Sequence, residues 1–285
     1  MNTLPAKIIL FGEHSVLKGH KCIAAAINIL SKQELVNDRV ENNYCVVKDT
    51  VGNVFDISEY TKNTNMTINL GTRLGSGLGS SAVISVFLSQ YFKNNPQKIG
   101  SKIESLLDET NKKIICDDTI DLARRIEDNF HGKSSGIDVA IVKTCGVIVF
   151  QNGRFRTIVS DHLNKYKFII FDSGLKKDTK QIYLSKKPKD DTFFDKMNEI
   201  AVKAEKLIQN DFSLKDLYPL LRENHEMLRE LGVVPEIMHN EVLKLRKMGI
   251  EAKITGAGCG GFLFTFVEKD VNIDNWTEVK IFKCD

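Results

Sequence analysis

Hydrophobic and polar residues follow two different rhythms on either side of a glycine-rich stretch. Residues 66–70, Met-Thr-Ile-Asn-Leu, alternate with the period of a β-strand, whereas residues 82–91 are mainly apolar over a length typical of a helix. Between them, Gly75, Gly77 and Gly79 alternate with small or apolar residues. This order predicts a strand, a glycine loop and then the N-terminus of a helix.

Similar patterns predict further elements along the chain. Short apolar runs predict strands at residues 8–11, 139–142, 147–150, 154–159, 167–171, 252–254 and 262–266. Apolar residues at helical spacing predict helices at residues 103–107, 119–130, 193–210, 214–231 and 236–248. Within the helix at 214–231, His225 lies among the leucines of an apolar stripe, so we interpret it as structural.

The glycine loop has two interpretations. Unpaired backbone N–H groups and the dipole at a helix start favour an anion, and glycine lets the backbone approach a phosphate closely. A serine hydroxyl there can cap the helix or reach a metal ion held by phosphates. The loop lacks the Gly-Lys-Ser/Thr ending of a Walker A sequence, and a plain surface turn is the alternative.

Single polar residues beside the predicted strands are further candidates. Lys7, just before the strand at 8–11, is either a cation held near a site or a solvated strand end. Glu13 and His14 are either turn residues or substrate contacts. Asp138, at the start of the predicted strand 139–142, is either a turn former or a catalytic carboxylate.

Composition and charge narrow the classes of function. The 285 residues carry a net charge of +3 without the basic stripe that nucleic-acid binding requires. No run reaches the roughly 18 apolar residues of a membrane span, and charged residues interrupt the apolar run of a signal peptide. The six cysteines are widely spaced, without a Cys-x-x-Cys pair. We therefore expect reduced thiols in a cytoplasmic protein, not a zinc site or disulfide framework.

Three motifs in a fixed order carry a resemblance to a known family. Residues 7–19 read Lys-x-Ile-Leu-Phe-Gly-Glu-His-x-Val-x-x-Gly, and residues 77–82 read Gly-Leu-Gly-Ser-Ser-Ala. Residues 253–262 read Lys-Ile-Thr-Gly-Ala-Gly-Cys-Gly-Gly-Phe. These resemble the first, second and third motifs of the GHMP kinases, which include galactokinases, homoserine kinases and mevalonate kinases. The resemblance covers essentially the whole chain.

Within this family the chain most resembles the mevalonate kinases. It combines Gly-Glu-His-x-Val with residues 131–138, His-Gly-Lys-Ser-Ser-Gly-Ile-Asp, which resembles their His-Gly-x-Pro-Ser-Gly-Ile-Asp segment. Galactokinases usually have an acidic residue soon after Gly-Glu-His, and homoserine kinases usually lack that motif. The chain departs from the family pattern at Ser134, which replaces the proline, and at Ala6, Arg73 and Cys259.

The resemblance implies an α+β fold in two domains with the GHMP kinase architecture. The N-terminal domain, residues 1–160, would be ribosomal-S5-domain-2-like and contain the glycine loop, and the C-terminal domain, residues 161–285, would be ferredoxin-like. It also implies ATP-dependent phosphorylation of mevalonate with Mg²⁺, and leaves a homodimer open. The alternatives are another GHMP kinase, for phosphomevalonate or a sugar, and a non-catalytic ligand sensor with this fold.

The same resemblance implies roles for individual residues. Asp138 would orient or deprotonate the attacking alcohol beside Lys7, and Ser81 and Glu127 would bind Mg²⁺, because oxygen ligands suit a hard cation. These four residues are intact, which argues against the sensor. ATP would be bound by Gly75, Ser76, Gly77, Leu78, Gly79, Ser80 and Ser81, and the substrate by Glu13, His14, Thr179, Gly256 and Ala257.

Overall fold

The chain folds into two compact units that alternate along the sequence. The computed structural model describes residues 2–35, 43–105, 119–132, 134–175, 187 and 189–284. The first unit comprises Met1–Ala6, Ile29–Leu74 and Gly79–Lys143, and the second comprises Lys7–Asn28, Gly75–Leu78 and Thr144–Asp285. Strands and helices occur in both units, which confirms the α+β class. A domain boundary at residue 160 stays a prediction.

The first unit contains a sheet and helices around an apolar core. β1 (Thr3–Phe11) and β2 (Cys22–Leu35) have residues in both units. The unit continues with β3 (Tyr44–Lys48), β4 (Val54–Asp56), β5 (Asn65–Asn69), α1 (Ser80–Asn94), α2 (Ser101–Glu104) and α3 (Thr119–His131). The strand order here is β4-β3-β5-β2, with β3 and β5 parallel. Ile68 of β5, Phe87 of α1 and Ile126 of α3 meet in the core.

Helix α4 (Ile137–Thr144) replaces the strand predicted at residues 139–142. Ala140 N–H donates to the Gly136 carbonyl at 3.0 Å, which closes the first helical turn. The four residues of the predicted strand are all buried in this helix. A short, uniformly apolar run has no periodicity that separates a buried strand from a buried helix, so the prediction was wrong. Asp138 lies in the first turn of α4, where a carboxylate suits the helix dipole.

The second unit contains a four-stranded antiparallel sheet covered by helices. In chain order, the elements of this unit are β6 (Val147–Gln151), β7 (Arg154–Thr157), β8 (Lys167–Asp172), α5 (Asp191–Ile208), α6 (Leu214–Glu230), α7 (Glu236–Arg246), β9 (Lys253–Ile254), β10 (Phe262–Val267) and β11 (Thr277–Val279). Four of these strands form the antiparallel sheet, in the order β11-β8-β10-β9. Met197, Leu228, Val242 and Leu263 form part of the core between helices and sheet. Among the described residues, no helix has the length and apolar character that a bilayer crossing needs.

Two cysteines form a disulfide, so the expectation of reduced thiols throughout is wrong. Cys145 and Cys284 are 139 residues apart in sequence, with Cα atoms 5.6 Å apart. The C-terminal segment lies beside Cys145 because Gly146 N–H donates to the Phe282 carbonyl at 2.7 Å. Sequence spacing does not show this contact. Cys22, Cys45 and Cys259 are buried thiols, and Cys116 lies outside the described residues.

His225 and His239 form a buried pair between α6 and α7. His225 Nε2 lies 3.2 Å from His239 Nδ1, and the two rings stack. Burial, together with the nearby positive charge of His239 and Arg246, lowers the pKa of His225 to about 3. The neutral, buried ring agrees with the structural role predicted for His225.

This pair makes stability depend on pH. The unfolded chain takes up a proton at His225 near pH 6.5, whereas the folded protein does not until about pH 3. The stability is therefore fully present above pH 6.5 and is lost as the pH falls below it. Between pH 6.5 and pH 5 the loss is about 2 kcal/mol. Urea unfolding at several pH values should show that His225→Gln removes this part of the dependence of the unfolding free energy on pH.

The partly exposed His162 provides the control, because His162→Gln also replaces a histidine but leaves His225 in place, so the part of the pH dependence that His225 causes should remain. Equal slopes for the wild-type and His225→Gln proteins would contradict the account.

Candidate functional site

The turn after β1 holds Glu13 and His14 at fixed positions. Gly12 has φ 91°, and a Cβ at this residue would lie 2.2 Å from the Lys21 carbonyl oxygen, so glycine is required. His14 itself has φ 59°, which is uncommon for a residue with a side chain. Its Nε2 lies 3.0 Å from the carbonyl oxygen of Ala257 in the third motif. Two predicted substrate-binding residues, His14 and Ala257, are thus in contact.

Lys7 lies inside β1 and not before the strand, because β1 begins at Thr3. Its side chain is 2% exposed, which excludes the solvated strand end considered for it. Lys7 N–H donates to the Leu78 carbonyl at 3.0 Å. This hydrogen bond fixes the last part of the glycine loop beside the first motif.

The glycine loop leads directly into α1, as predicted. Gly75, Gly77 and Gly79 have φ 76°, 90° and 83°, a region that glycine adopts readily. Gly79 is the N-cap residue of α1, and as a glycine it has no side chain to bind the N–H groups of the first turn. Those N–H groups and the helix dipole favour an anion at this point.

The third motif is hydrogen-bonded to the first. Thr255 follows β9, and its Oγ1 accepts a hydrogen bond from Ile9 N–H at 2.8 Å. The same hydroxyl donates to the Ile9 carbonyl oxygen at 3.1 Å. Together with the contact between His14 and Ala257, these bonds hold the third glycine loop, residues 256–261, beside the turn after β1.

The third glycine loop also lies against the glycine loop of the second motif. Gly261 has φ 86°, and a Cβ there would lie 2.5 Å from the Ser76 carbonyl oxygen. Gly258 is equally restricted, because its Cβ would lie 2.3 Å from the Val233 carbonyl oxygen. The first and third motifs and residues 75–78 of the glycine loop therefore meet within one compact unit.

A buried ion pair joins Glu13 to Lys253, a residue that the sequence reasoning missed. Lys253 Nζ donates to Glu13 Oε1, and both side chains are almost fully buried. Lys253 also donates to the Ile254 carbonyl oxygen at 2.9 Å. The available signal was a lysine inside the predicted strand at residues 252–254, where an unpaired charge is costly to bury. The Glu13 carboxylate is thus bound by the protein itself.

The other predicted site residues lie in the first unit or outside the described part of the chain. Ser80 and Ser81 begin α1, Glu127 is buried on α3, and Asp138 is half-buried in the first turn of α4. Helices α1 and α3 pack against each other. Thr179 lies outside the described residues. The pairing of Asp138 with Lys7 stays a prediction.

The chain is similar to curated mevalonate kinases over nearly its whole length. The enzyme of Methanocaldococcus jannaschii is 25% identical over 98% of this chain and 97% of its own length. That of Archaeoglobus fulgidus is 26% identical over 91% of this chain and 89% of its own length. No family model matches the chain. These similarities confirm the resemblance that the three motifs carry.

Solved structures of mevalonate kinases and of a phosphomevalonate kinase share the fold of this chain. The Methanococcus jannaschii mevalonate kinase superposes with a TM-score of 0.73 at 21% identity, covering 99% of this chain and 98% of that one. The L. major mevalonate kinase in complex with R-mevalonate gives a TM-score of 0.67 at 20% identity over 94% and 87% of the two chains. Streptococcus pneumoniae phosphomevalonate kinase, with phosphomevalonate and AMPPNP, gives 0.69 at 13% identity over 93% and 91%. The predicted GHMP kinase fold is confirmed.

The contact between Gly261 and Ser76 generates a testable prediction. Gly261→Ala should push the third glycine loop away from the second motif, because its methyl group would overlap the Ser76 carbonyl. We expect the affinity for ATP, measured by calorimetry, to fall about tenfold or more, a loss of about 1.4 kcal/mol.

Gly249→Ala is the matched control. Gly249 has a similar φ of 76°, but a Cβ there would meet nothing within 4 Å. Both substitutions place an alanine in a left-handed backbone conformation, which costs about 1 kcal/mol. Only Gly261→Ala should weaken the binding of ATP. Equal ATP affinities for the two variants would refute this packing argument.

Proposed function

We propose that this chain, which has the GHMP kinase fold, transfers the γ-phosphoryl group of ATP to the hydroxyl group of mevalonate. Its near-full-length similarity to mevalonate kinases supports this substrate. The observation that carries the proposal is that the first motif, the glycine loop and the third motif contact one another in the second unit. Lys7 bonds Leu78, His14 contacts Ala257, and Gly261 touches Ser76.

The glycine loop suits the phosphates of ATP. Three glycines in positive φ let the backbone approach a phosphate without a Cβ in the way, and the start of α1 adds the positive end of a helix dipole. The buried Lys7, fixed in β1, would add a cation close to these phosphates. Phosphoryl transfer depends mainly on positioning and on opposite charge, and these features supply both.

Ser81 and Glu127 suit a magnesium ion. A hydroxyl and a carboxylate are the hard oxygen ligands that Mg²⁺ prefers, and this ion usually completes its coordination with water and substrate phosphates. Among the described residues there is no group of three His, Cys, Asp or Glu side chains that could hold a metal without such help. When bound, Mg²⁺ would neutralise charge on the transferring phosphoryl group. Ser81 and Glu127 would hold it on the packed helices α1 and α3.

Asp138 would orient the attacking hydroxyl group and accept its proton. Its position in the first turn of α4 fixes the carboxylate at a helix N-terminus, after Gly136 with φ 86°. Lys7 would stabilise negative charge on the transferring group. His14, Gly256 and Ala257 would bind the substrate beside the turn after β1, with Glu13 and Thr179 as further residues of that site.

The remaining expectations are proposals of the same kind. We assign residues 1–160 to an N-terminal domain with the glycine loop and residues 161–285 to a C-terminal domain, as in the family resemblance. We also propose a cytoplasmic location, and the proposed substrate implies a role in making isoprenoid precursors.

A coupled assay of ADP release would test the substrate. We expect kcat/KM for mevalonate to exceed that for phosphomevalonate, galactose and homoserine by about 100-fold or more, because a site built to hydrogen-bond one substrate rejects those that leave its polar groups unpaired. Turnover of galactose in preference to mevalonate would refute the substrate. Tight ATP binding without turnover of any of the four would favour a sensor.

The proposed roles of Asp138 and Lys7 predict non-additive losses. Positioned proton transfer contributes about 10²–10⁴-fold, so Asp138→Asn should lower kcat by about that factor and change ATP affinity little. Lys7→Met should lower kcat similarly. If the two residues act as a unit, the double variant is only slightly worse than the poorer single variant.

Steady-state kinetics of the four proteins would measure this coupling. Losses that multiply would show that Lys7 acts on the phosphates alone. Near-normal kcat in Asp138→Asn would end the catalytic assignment of this carboxylate.

A further inference from the structure

The ion pair between Lys253 and Glu13 connects the first and third motifs in the interior. The two residues are 240 positions apart in sequence, and their side chains are 0% and 1% exposed. Lys253 lies on β9, two residues before Thr255, and the third glycine loop follows Thr255. Glu13 lies in the turn between β1 and a short 3-10 helix, Ser15–Lys18. The pair therefore joins two segments that both carry proposed substrate-binding residues.

Lys253 is the main group that balances the negative charge of Glu13, because the residues around the pair are largely apolar. Lys253 Nζ lies 5.0 Å from the ring centroid of Phe264 and 5.7 Å from that of Phe11, so its neighbours are largely apolar. Glu13 Oε2 is buried and has no hydrogen-bond partner among the described residues. Removing the lysine alone would leave the Glu13 carboxylate buried in this apolar environment without a positively charged partner.

Stability alone is a weak reason for such a pair. Burial lowers the pKa of Lys253, and the Glu13 carboxylate opposes this shift. Taking two charges out of water costs about as much as, or more than, their attraction returns, and well-packed apolar residues often stabilise a core equally well. A pair in this position is better explained by the geometry that it imposes.

The geometry in question is that of the turn carrying His14. The backbone of His14 has φ 59°, and its ring contacts the Ala257 carbonyl oxygen at 3.0 Å. The neighbouring Glu13 is held from β9, four residues before Ala257, through Lys253. The Glu13 side chain of the turn is thus bound to β9, the strand before the third glycine loop, and the His14 side chain is bound to that loop itself.

We propose that Lys253 is a positioning residue for the alcohol substrate. By binding Glu13 it holds the turn of Gly12, Glu13 and His14 in register with Gly256 and Ala257, so that these groups present one preformed surface to the substrate. Lys253 itself is fully buried and acts through Glu13. This inference rests on the proposed function, because it assigns these residues to the substrate side of that reaction.

The first test is the variant Lys253→Met, which keeps the length of the side chain and removes its charge. We expect KM for mevalonate to rise about tenfold or more, because displacement of His14 and Ala257 would weaken binding of the substrate and of the transition state alike. The kcat and the KM for ATP should change less than about threefold, since the glycine loop and Lys7 are held by other contacts. A lowered kcat with unchanged KM for mevalonate would overturn the assignment.

Lys21→Met is the matched control. Lys21 also pairs with a buried glutamate of the same unit, Glu205, on helix α5. Both substitutions should lower Tm, but only Lys253→Met should raise KM for mevalonate. Equal increases in KM for the two variants would show a general effect of lost ion pairs and would overturn the proposal.

A double variant keeps the test decisive if Lys253→Met does not fold. Breaking a buried pair is strongly destabilising, which predicts a fall in Tm of about 10 °C for Lys253→Met. The double variant Lys253→Met, Glu13→Gln has no unpaired buried charge at this position, so it should recover at least half of the fall in Tm. Its KM should remain high, whereas Glu13→Gln alone retains an acceptor for Lys253 and should raise KM less. Recovery of KM together with Tm would show that Lys253 only stabilises the fold.

These outcomes are separable from failure of the proposed function. Wild-type protein that does not phosphorylate mevalonate would refute that function, and the comparison of Lys253→Met with Lys21→Met would then use the alcohol that is turned over. Wild-type protein that phosphorylates mevalonate, with an unchanged KM in Lys253→Met, would refute the positioning role alone.

Discussion

Close approach of backbone to backbone is the constraint on which the candidate site depends. The third glycine loop packs against Ser76 at Gly261 and against Val233 at Gly258, and at both points a single added carbon would overlap a carbonyl oxygen. Gly12 imposes the same condition on the turn after β1. The glycines are thus needed for contact between motifs, and the proposed phosphate binding would depend on the packing of the second unit.

The polar groups of this region are used to fix the backbone in place. Thr255 exchanges two hydrogen bonds with Ile9, Lys7 N–H binds Leu78, and Lys253 binds Glu13. Each of these contacts joins segments that are distant in sequence. A site for phosphoryl transfer gains from such rigidity, because its catalysis comes mostly from positioning and preformed charge. The same arrangement would let Lys253, which reaches no solvent, act on a substrate through Glu13 as we propose.

Local signals made the elements and the glycine loops predictable, whereas long-range contacts were not. The strand, loop and helix from Met66 onward follow from periodicity and from glycines that adopt positive φ. Residues 139–142 were misassigned because four consecutive apolar residues, all buried in α4, include no polar position that would reveal the helical period. The Cys145–Cys284 disulfide and the Glu13–Lys253 pair join residues that only the folded chain brings together.

The central claim is that the packed glycine motifs bind ATP so that its γ-phosphoryl group reaches mevalonate. Phosphorus NMR of a mixture of wild-type protein, ATP, Mg²⁺ and mevalonate tests this most directly. The account predicts a new phosphate monoester signal that requires both the protein and mevalonate and grows as the γ-phosphate signal of ATP declines. Release of inorganic phosphate alone, or an unchanged spectrum from folded protein that binds ATP, would contradict it.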